Sequence, residues 1–289
     1  MSATSAPSSI PSPGAEALVA DRVSMVFGGL RALSDFSIQI RTGDLQGLIG
    51  PNGAGKTTAF NALTGVYLPS EGEVRVRGAR VNGKRPHQIC ARGLARTFQN
   101  IRLFKELSAL DNVRIACHHT AKAAWLQAVL RTPAFQREEA GLTERALHFL
   151  EVMGLAHKRD EQAKNLPYGE QRRLEIARAL ATGPSVLLLD EPAAGMNTRE
   201  KQDLMPLIRR LRDEFALGVL VIEHDMKLVM GVCERITVLD HGVTIACGTP
   251  EQVRADPKVI EAYLGAAPNP TPGPSPEGRS PTPVPPELP

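Results

Sequence analysis

Residues Gly50–Thr57 read GPNGAGKT, which fits the pattern G-x-x-x-x-G-K-[ST], and Thr58 follows at once. The pattern matters only in context, and the context is present. The apolar run Leu45–Ile49 (LQGLI) precedes it as a buried strand, and helical periodicity begins at Lys56 and runs to Leu63. Gly50, Gly53 and Gly55, spaced by Pro51, Asn52 and Ala54, let successive backbone N–H groups turn inward around phosphate oxygens. The helix that follows points its partial positive charge at the same place. Lys56 is expected to reach the β- and γ-phosphates, and the Thr57 hydroxyl to ligate Mg²⁺. A glycine-rich turn with an accidental lysine is the competing reading. At ordinary residue usage it arises in roughly one chain in a hundred of this length. With the strand and helix in place, the segment is read as a nucleoside triphosphate site in an α/β fold.

Outward from that loop, further strand ends carry matching chemistry. Val186–Asp190 (VLLLD) is an apolar strand ending on Asp190, followed by Glu191 and Pro192. Asp190 is placed to hold Mg²⁺ and its waters, and Glu191 to accept a proton from attacking water. His224 ends another apolar run, VLVIEH, and is expected to align that water on the γ-phosphate. Gly93 stops a short helix, Leu94–Phe98 reads as a strand, and Gln99 falls at its end, where loops carry function. Val23–Phe27 and Phe36–Ile40 alternate as half-buried strands do, and Val219–Ile222 and Ile236–Leu239 read as buried strands. Helical periodicity marks Ala146–Met153, Gln171–Ala181, Arg199–Phe215 and Met226–Cys233. The sum is an α/β core interrupted by a helical subdomain at about 100–183.

Composition narrows the class. The chain has 289 residues, 42% of them apolar, and a net charge of +3, so no nucleic-acid partner is demanded. Its arginines are spread along helices and are read as a solvated surface. No apolar run approaches the ~18 residues needed to cross a bilayer, and the first residues lack a secretory signal. Cys90, Cys117, Cys233 and Cys247 are scattered, as reduced thiols of a cytosolic protein would be. Residues 1–16 and the Pro-rich 267–289 are expected to be disordered tails around a domain at 17–266.

Gln99, the stretch Asn165–Leu180 (NLPYGEQRRLEIARAL), Asp190-Glu191 and His224 occur in the order of the ATP-binding cassette (ABC) ATPases. The chain resembles that family over about residues 18–265. The resemblance implies a RecA-like parallel-sheet core with an antiparallel β subdomain and an inserted helical subdomain. It also implies two cassettes packed head to tail, each laying its Gly169-Glu170 signature on the ATP of the other. Phe27 would stack on adenine, a core phenylalanine being the rival reading. Gln99 would sense the γ-phosphate and Mg²⁺, while Leu103, Phe104 and Leu107 would dock a transmembrane partner.

YGEQRRLEIARAL, EPAAGMN, IEHDMKLVMGVCERITVLDHG, GLARTFQNIRLF, FGGLRAL and the long middle segment through Trp125 and Phe135 are similar to the LivG-type ATPases of branched-chain amino acid importers. That likeness implies two permease subunits, a LivF-type paralogue or a second copy as the other cassette, a periplasmic binding protein acting indirectly, and a site on the cytoplasmic face of the bacterial inner membrane. Pro167 stands where the general family has a serine, and Asn197 where an aspartate is usual. The rival readings are the same machine for urea, amides or a lipid, a soluble ABC ATPase working on ribosomes or DNA, and a nucleotide-binding regulator that does not turn over.

Overall fold

Alternating apolar and polar residues build a long antiparallel hairpin from β1 (Glu16–Phe27) and β2 (Leu30–Arg41), with β4 (Glu71–Val76) and β5 (Ala79–Arg80) completing the sheet in the order β2-β1-β4-β5. The computed structural model describes residues 14–120 and 129–264. Most of both expected tails, and Trp125, lie outside the described residues. The expected N-terminal tail reaches residue 16, and residues 14–16 of it are among those described. Thr42 N donates to Ala15 O at 2.9 Å and Gly14 N to Thr42 O at 3.1 Å, which ties the start of β1 to the end of β2, and Ala17 is buried.

The second sheet runs β10-β9-β3-β8-β7-β6, where β3 is Leu45–Ile49, β6 Leu94–Arg96, β7 Val186–Asp190, β8 Gly218–Ile222, β9 Arg235–Asp240 and β10 Val243–Gly248. All neighbours from β9 to β6 are parallel, and β10 closes the edge antiparallel to β9. The strand read over Leu94–Phe98 ends at Arg96, two residues short, because Thr97 already turns its hydroxyl to Asp190 N.

The apolar runs read as buried strands are buried on both faces, as parallel strands between layers must be. Val186 and Leu188 face one core with Phe36 and Ile40 of the antiparallel sheet and Phe60 of α1 (Lys56–Leu63). Leu187 and Leu189 face the other, with Leu174, Ile208 and Val229. That second layer holds α5 (Tyr168–Ala181), α6 (Thr198–Glu214) and α7 (Met226–Val232). Between Lys56 and α5 lie α2 (Pro86–Cys90), α3 (Ala109–Cys117) and α4 (Pro133–Val152), and after β10 come α8 (Pro250–Ala255) and α9 (Pro257–Leu264). The helix expected over Ala146–Met153 is the last third of α4, which Thr132 caps by accepting Phe135 N. Helices α3 and α4 join α5 through Val113, Cys117, Leu142, Ala146 and Phe149.

Two glycines set packing distances. Gly47 sits in mid-β3, where a methyl group would meet Val229 Cγ1 at 2.6 Å and Cys233 Sγ at 3.2 Å. Gly55, at φ 96°, would place a Cβ 2.9 Å from Ala32 O, so the P-loop rests directly on the β1–β2 sheet. No disulfide joins any of the four cysteines, and burial pushes the Cys233 thiol up to about 12.

Candidate nucleotide site

Parallel strands deliver their loops to one edge of the sheet, and ligands of open α/β sheets bind there. The carboxyl end of β3 opens into Gly50–Gly55, that of β7 is Asp190, that of β8 leads to Glu223-His224, and that of β6 leads to Gln99. These residues are separate signals in the sequence; topology makes them neighbours. A cavity of about 590 Å³ is lined by Asn52–Thr58, Gln99 and Glu191, with Leu30, Arg31, Ala32 and His241 at its rim.

Lys56 is 9% exposed, and its Nζ donates to Gly50 O at 2.7 Å and Pro51 O at 2.9 Å. The ammonium therefore lies back on its own loop. Burial lowers its pKa, and Glu191 opposes that shift. Glu191 holds a left-handed backbone (φ 43°), rare for a side chain of this kind, anchored by its N–H on Ile222 O at 2.9 Å. Its Oε2 accepts from Gln99 Nε2 at 3.1 Å. His224 Nδ1 is 3.7 Å from the same oxygen and 3.8 Å from Glu223 Oε2, an ion-pair distance beyond a direct hydrogen bond. A carboxylate, an amide and an imidazole thus converge beside the P-loop.

Asp190 lies just behind. It is 7% exposed and faces Arg96 Nη2 at 3.5 Å. Burial raises its pKa, Arg96 pulls it down, and Glu191 adds to the rise. A desolvated carboxylate with one partner at long range is suited to a cation. Thr57, Asp190 and Gln99 offer hard oxygen donors of the kind Mg²⁺ takes alongside phosphate and water. This donor set fits the metal.

Phe27 is 43% exposed and meets Tyr67 edge-on at 5.2 Å, so it is no core phenylalanine. Gly169 and Glu170 do not line the P-loop cavity. They open α5, whose N-cap is Pro167 with no side-chain cap. The periodicity read from Gln171 starts at Tyr168, placing Gly169 inside the first turn. A Cβ on Gly169 would lie 2.5 Å from Glu200 Oε1, a contact made within this chain. Glu170 is ion-paired to Lys158 at 2.7 Å. Asn197 caps α6 by accepting Glu200 N at 2.9 Å, while Glu200 accepts Asn197 N at 2.9 Å.

Two features escape the sequence reading. Glu223 is 1% exposed and accepts Ala193 N at 2.8 Å, tying the loop after β7 to the turn that carries His224. Arg172, expected among solvated arginines, is 0% exposed. The correction has a physical reason: its two terminal nitrogens are taken up by Glu175 and by main-chain carbonyls, so burial leaves only Nε without a partner.

Comparison with known proteins fixes the class. The family model described as ABC transporter matches residues 33–194, more than half of the chain. The chain belongs to the ABC transporter ATP-binding family and is an ABC-type ATPase. A second model, described as branched-chain amino acid ATP-binding cassette transporter, matches residues 243–268 and places it in that branch. It is 48% identical over 245 residues (85% of this chain, 96% of the relative) to the high-affinity branched-chain amino acid transport ATP-binding protein BraF of Pseudomonas aeruginosa. It is 47% identical over 243 residues (84% and 95%) to LivG of Escherichia coli K12, which has the same descriptive name. The lipopolysaccharide export system ATP-binding protein LptB of Escherichia coli K12 is 36% identical over 248 residues (86% and 97%). A crystal structure of the ADP conformation of an ATP-binding cassette of an ABC transporter superposes with a TM-score of 0.75 at 32% identity, covering 87% of this chain and 99% of the other.

Proposed function

We propose that this chain is the ATP-hydrolysing subunit of a branched-chain amino acid importer, bound to the cytoplasmic face of the bacterial inner membrane. The observation that carries the chemistry is the meeting of Gln99 and Glu191 at 3.1 Å in the cavity of the P-loop, with His224 3.7 Å from the same carboxylate. In this reading the amides of Gly50–Gly55 cradle the phosphates, and Lys56 leaves its own carbonyls to reach the β- and γ-phosphates. Phe27, half exposed at the end of β1, stacks on the adenine. Glu191 takes the proton of the attacking water, and His224 orients that water. Thr57, Asp190 and Gln99 would hold Mg²⁺, which neutralises charge gathering on the phosphate oxygens.

The signature residues Gly169 and Glu170 belong to a second site in this proposal. They lie outside their own chain's cavity, which suits a head-to-tail pairing with a LivF-type cassette or a second copy. Two permease subunits sit against the exposed Phe104 and Leu107, and the periplasmic binding protein acts through them. Branched-chain amino acids are favoured over lipid or other cargo because identity to BraF and LivG exceeds that to LptB, and because the C-terminal model is specific to that branch.

The test is to purify the full chain with its membrane partners, identify them by mass, and reconstitute them in vesicles with the binding protein. ATP-dependent uptake of labelled leucine, competed by isoleucine but not by urea or amides, is the expected result. Uptake of another solute, or phosphate release indifferent to the loaded binding protein, refutes the cargo assignment.

A further inference from the structure

Arg172 and Glu175 stand one turn apart on α5, and neither lines the cavity of the P-loop. A guanidinium at 0% exposure is costly unless its donors meet acceptors. Here the acceptors belong to a segment far away in sequence. Arg172 Nη1 donates to Phe98 O at 2.6 Å, and Nη2 to Gln99 O at 2.7 Å. Nη1 also pairs with Glu175 Oε2 at 2.8 Å. The other oxygen of Glu175 accepts Phe98 N at 3.2 Å and Arg102 N at 3.3 Å. One helix therefore grips the carbonyls of Phe98 and Gln99 with a cation, and the amides on either side with an anion. Charge-assisted bonds of this kind are the strong ones, and burial keeps salt from screening them.

The grip continues in both directions. Tyr168, the first residue of α5, places its hydroxyl 3.2 Å from Arg172 Nη2. At the far end, Gln99 Nε2 reaches Glu191 at 3.1 Å. Glu175, Phe98 and Arg102 also border a groove of about 920 Å³.

We propose that Arg172 and Glu175 are positioning residues that lock the Phe98–Arg102 main chain to α5, so that Gln99 moves against Glu191 whenever the start of that helix moves. The inference rests on the reading of Gln99 as part of the hydrolytic site. The pair acts through Gln99 and makes no contact with nucleotide.

The experiment uses the reconstituted transporter described above. R172M/E175L removes both charges together and leaves no lone buried ion. The expected kcat for phosphate release is lower by about tenfold or more, with KM for ATP changed by less than about threefold, because the phosphate cradle is untouched. Adding Q99A to that background is expected to cost little more, since both changes disable one unit. Losses that multiply, or an unaltered kcat in R172M/E175L, overturn the proposal. Wild-type turnover in Q99A alone is a separate result: it removes Gln99 from the site, and the proposal falls with that assignment. Should R172M/E175L not fold, E175Q keeps the shape and one acceptor oxygen. Hydrogen exchange at the Phe98 and Arg102 amides is then expected to rise several-fold, other amides holding steady. Unchanged exchange at those two positions overturns the proposal as well.

Discussion

Replacing Arg96 by methionine keeps most of the side-chain volume and removes the charge beside Asp190. Arg96 Nη1 donates to Asn61 Oδ1 at 3.0 Å and Thr64 Oγ1 at 2.9 Å, Nη2 faces Asp190 at 3.5 Å, and the guanidinium lies 4.9 Å from the Phe60 ring and 4.7 Å from the Phe98 ring. Side-chain exposures of 14% for Arg96 and 10% for Asp190 mean that water does little screening here. Two hydrogen bonds contribute about 1 kcal/mol each, and the ring contacts about 0.5–1 kcal/mol each. Breaking a buried pair on one side costs about 3–5 kcal/mol in total, which is the expected loss. For a chain of this size that lowers Tm by roughly 10 °C. The pH dependence is the sharper check. The folded-state pKa of Asp190 is already raised by burial, and Arg96 opposes that rise, so losing Arg96 raises it further. The variant therefore suffers most where Asp190 is ionised, and the deficit shrinks as pH falls and Asp190 takes up its proton. Urea denaturation of both proteins at several pH values, repeated in a D190N background, measures this. A deficit that is constant with pH, and as large in the D190N background as with Asp190 in place, refutes the electrostatic reasoning.

Glu191→Gln keeps the contact with Gln99 while removing the proton acceptor, so phosphate release by the complex is expected to fall about 100-fold or more with ATP binding retained. A kcat within threefold of wild type, a difference of about 0.7 kcal/mol, removes Glu191 from the chemistry. Phe27→Ala is expected to weaken ATP binding about tenfold, as loss of one base stack does, with Tm nearly unchanged because the ring is half exposed; titration with a fluorescent ATP analogue and a melting curve give both values. Burial raises the pKa of Glu223, against the pull of the Ala193 N–H and His224, so its charged form burdens the native state above that raised value. Glu223→Gln, which still accepts Ala193 N, is expected to melt a few degrees higher than wild type in alkaline buffer, with the gap closing as pH falls and Glu223 takes up its proton; a gap that widens in acid contradicts the sign.

The parts of the fold legible in the sequence are those whose information is local. The helix read over Lys56–Leu63 forms over those residues, and the runs at Leu45 and Val186 are central strands because continuous apolar segments suit burial on both faces. Glu71–Val76 carries no such signal: Gly72 and two glutamates dilute its alternation, and it becomes a strand by pairing with β1. The early part of α4, where polar residues crowd the helix after Pro133, is hidden for a similar reason, since its apolar spacing tightens only near Leu142. In the site, Lys56, Gln99, Glu191 and His224 are readable because each follows shortly after a strand or opens a helix. Arg172, Glu175 and Glu223 are not, because a charged residue inside a helix or at a strand end normally means solvent. Their partners at Phe98, Gln99 and Ala193 are known only once the chain has folded.

The missing side chain at position 47 has a reach beyond its own strand. A methyl there overlaps Val229, and α7 begins at Met226, two residues after His224. Relief by movement of the helix would shift the imidazole with it. A genetic selection for heat-conditional growth on the transported nutrient would find Gly47→Ala as a lesion that leaves every reactive group in the sequence intact, yet switches the pump off when warmth loosens the sheet.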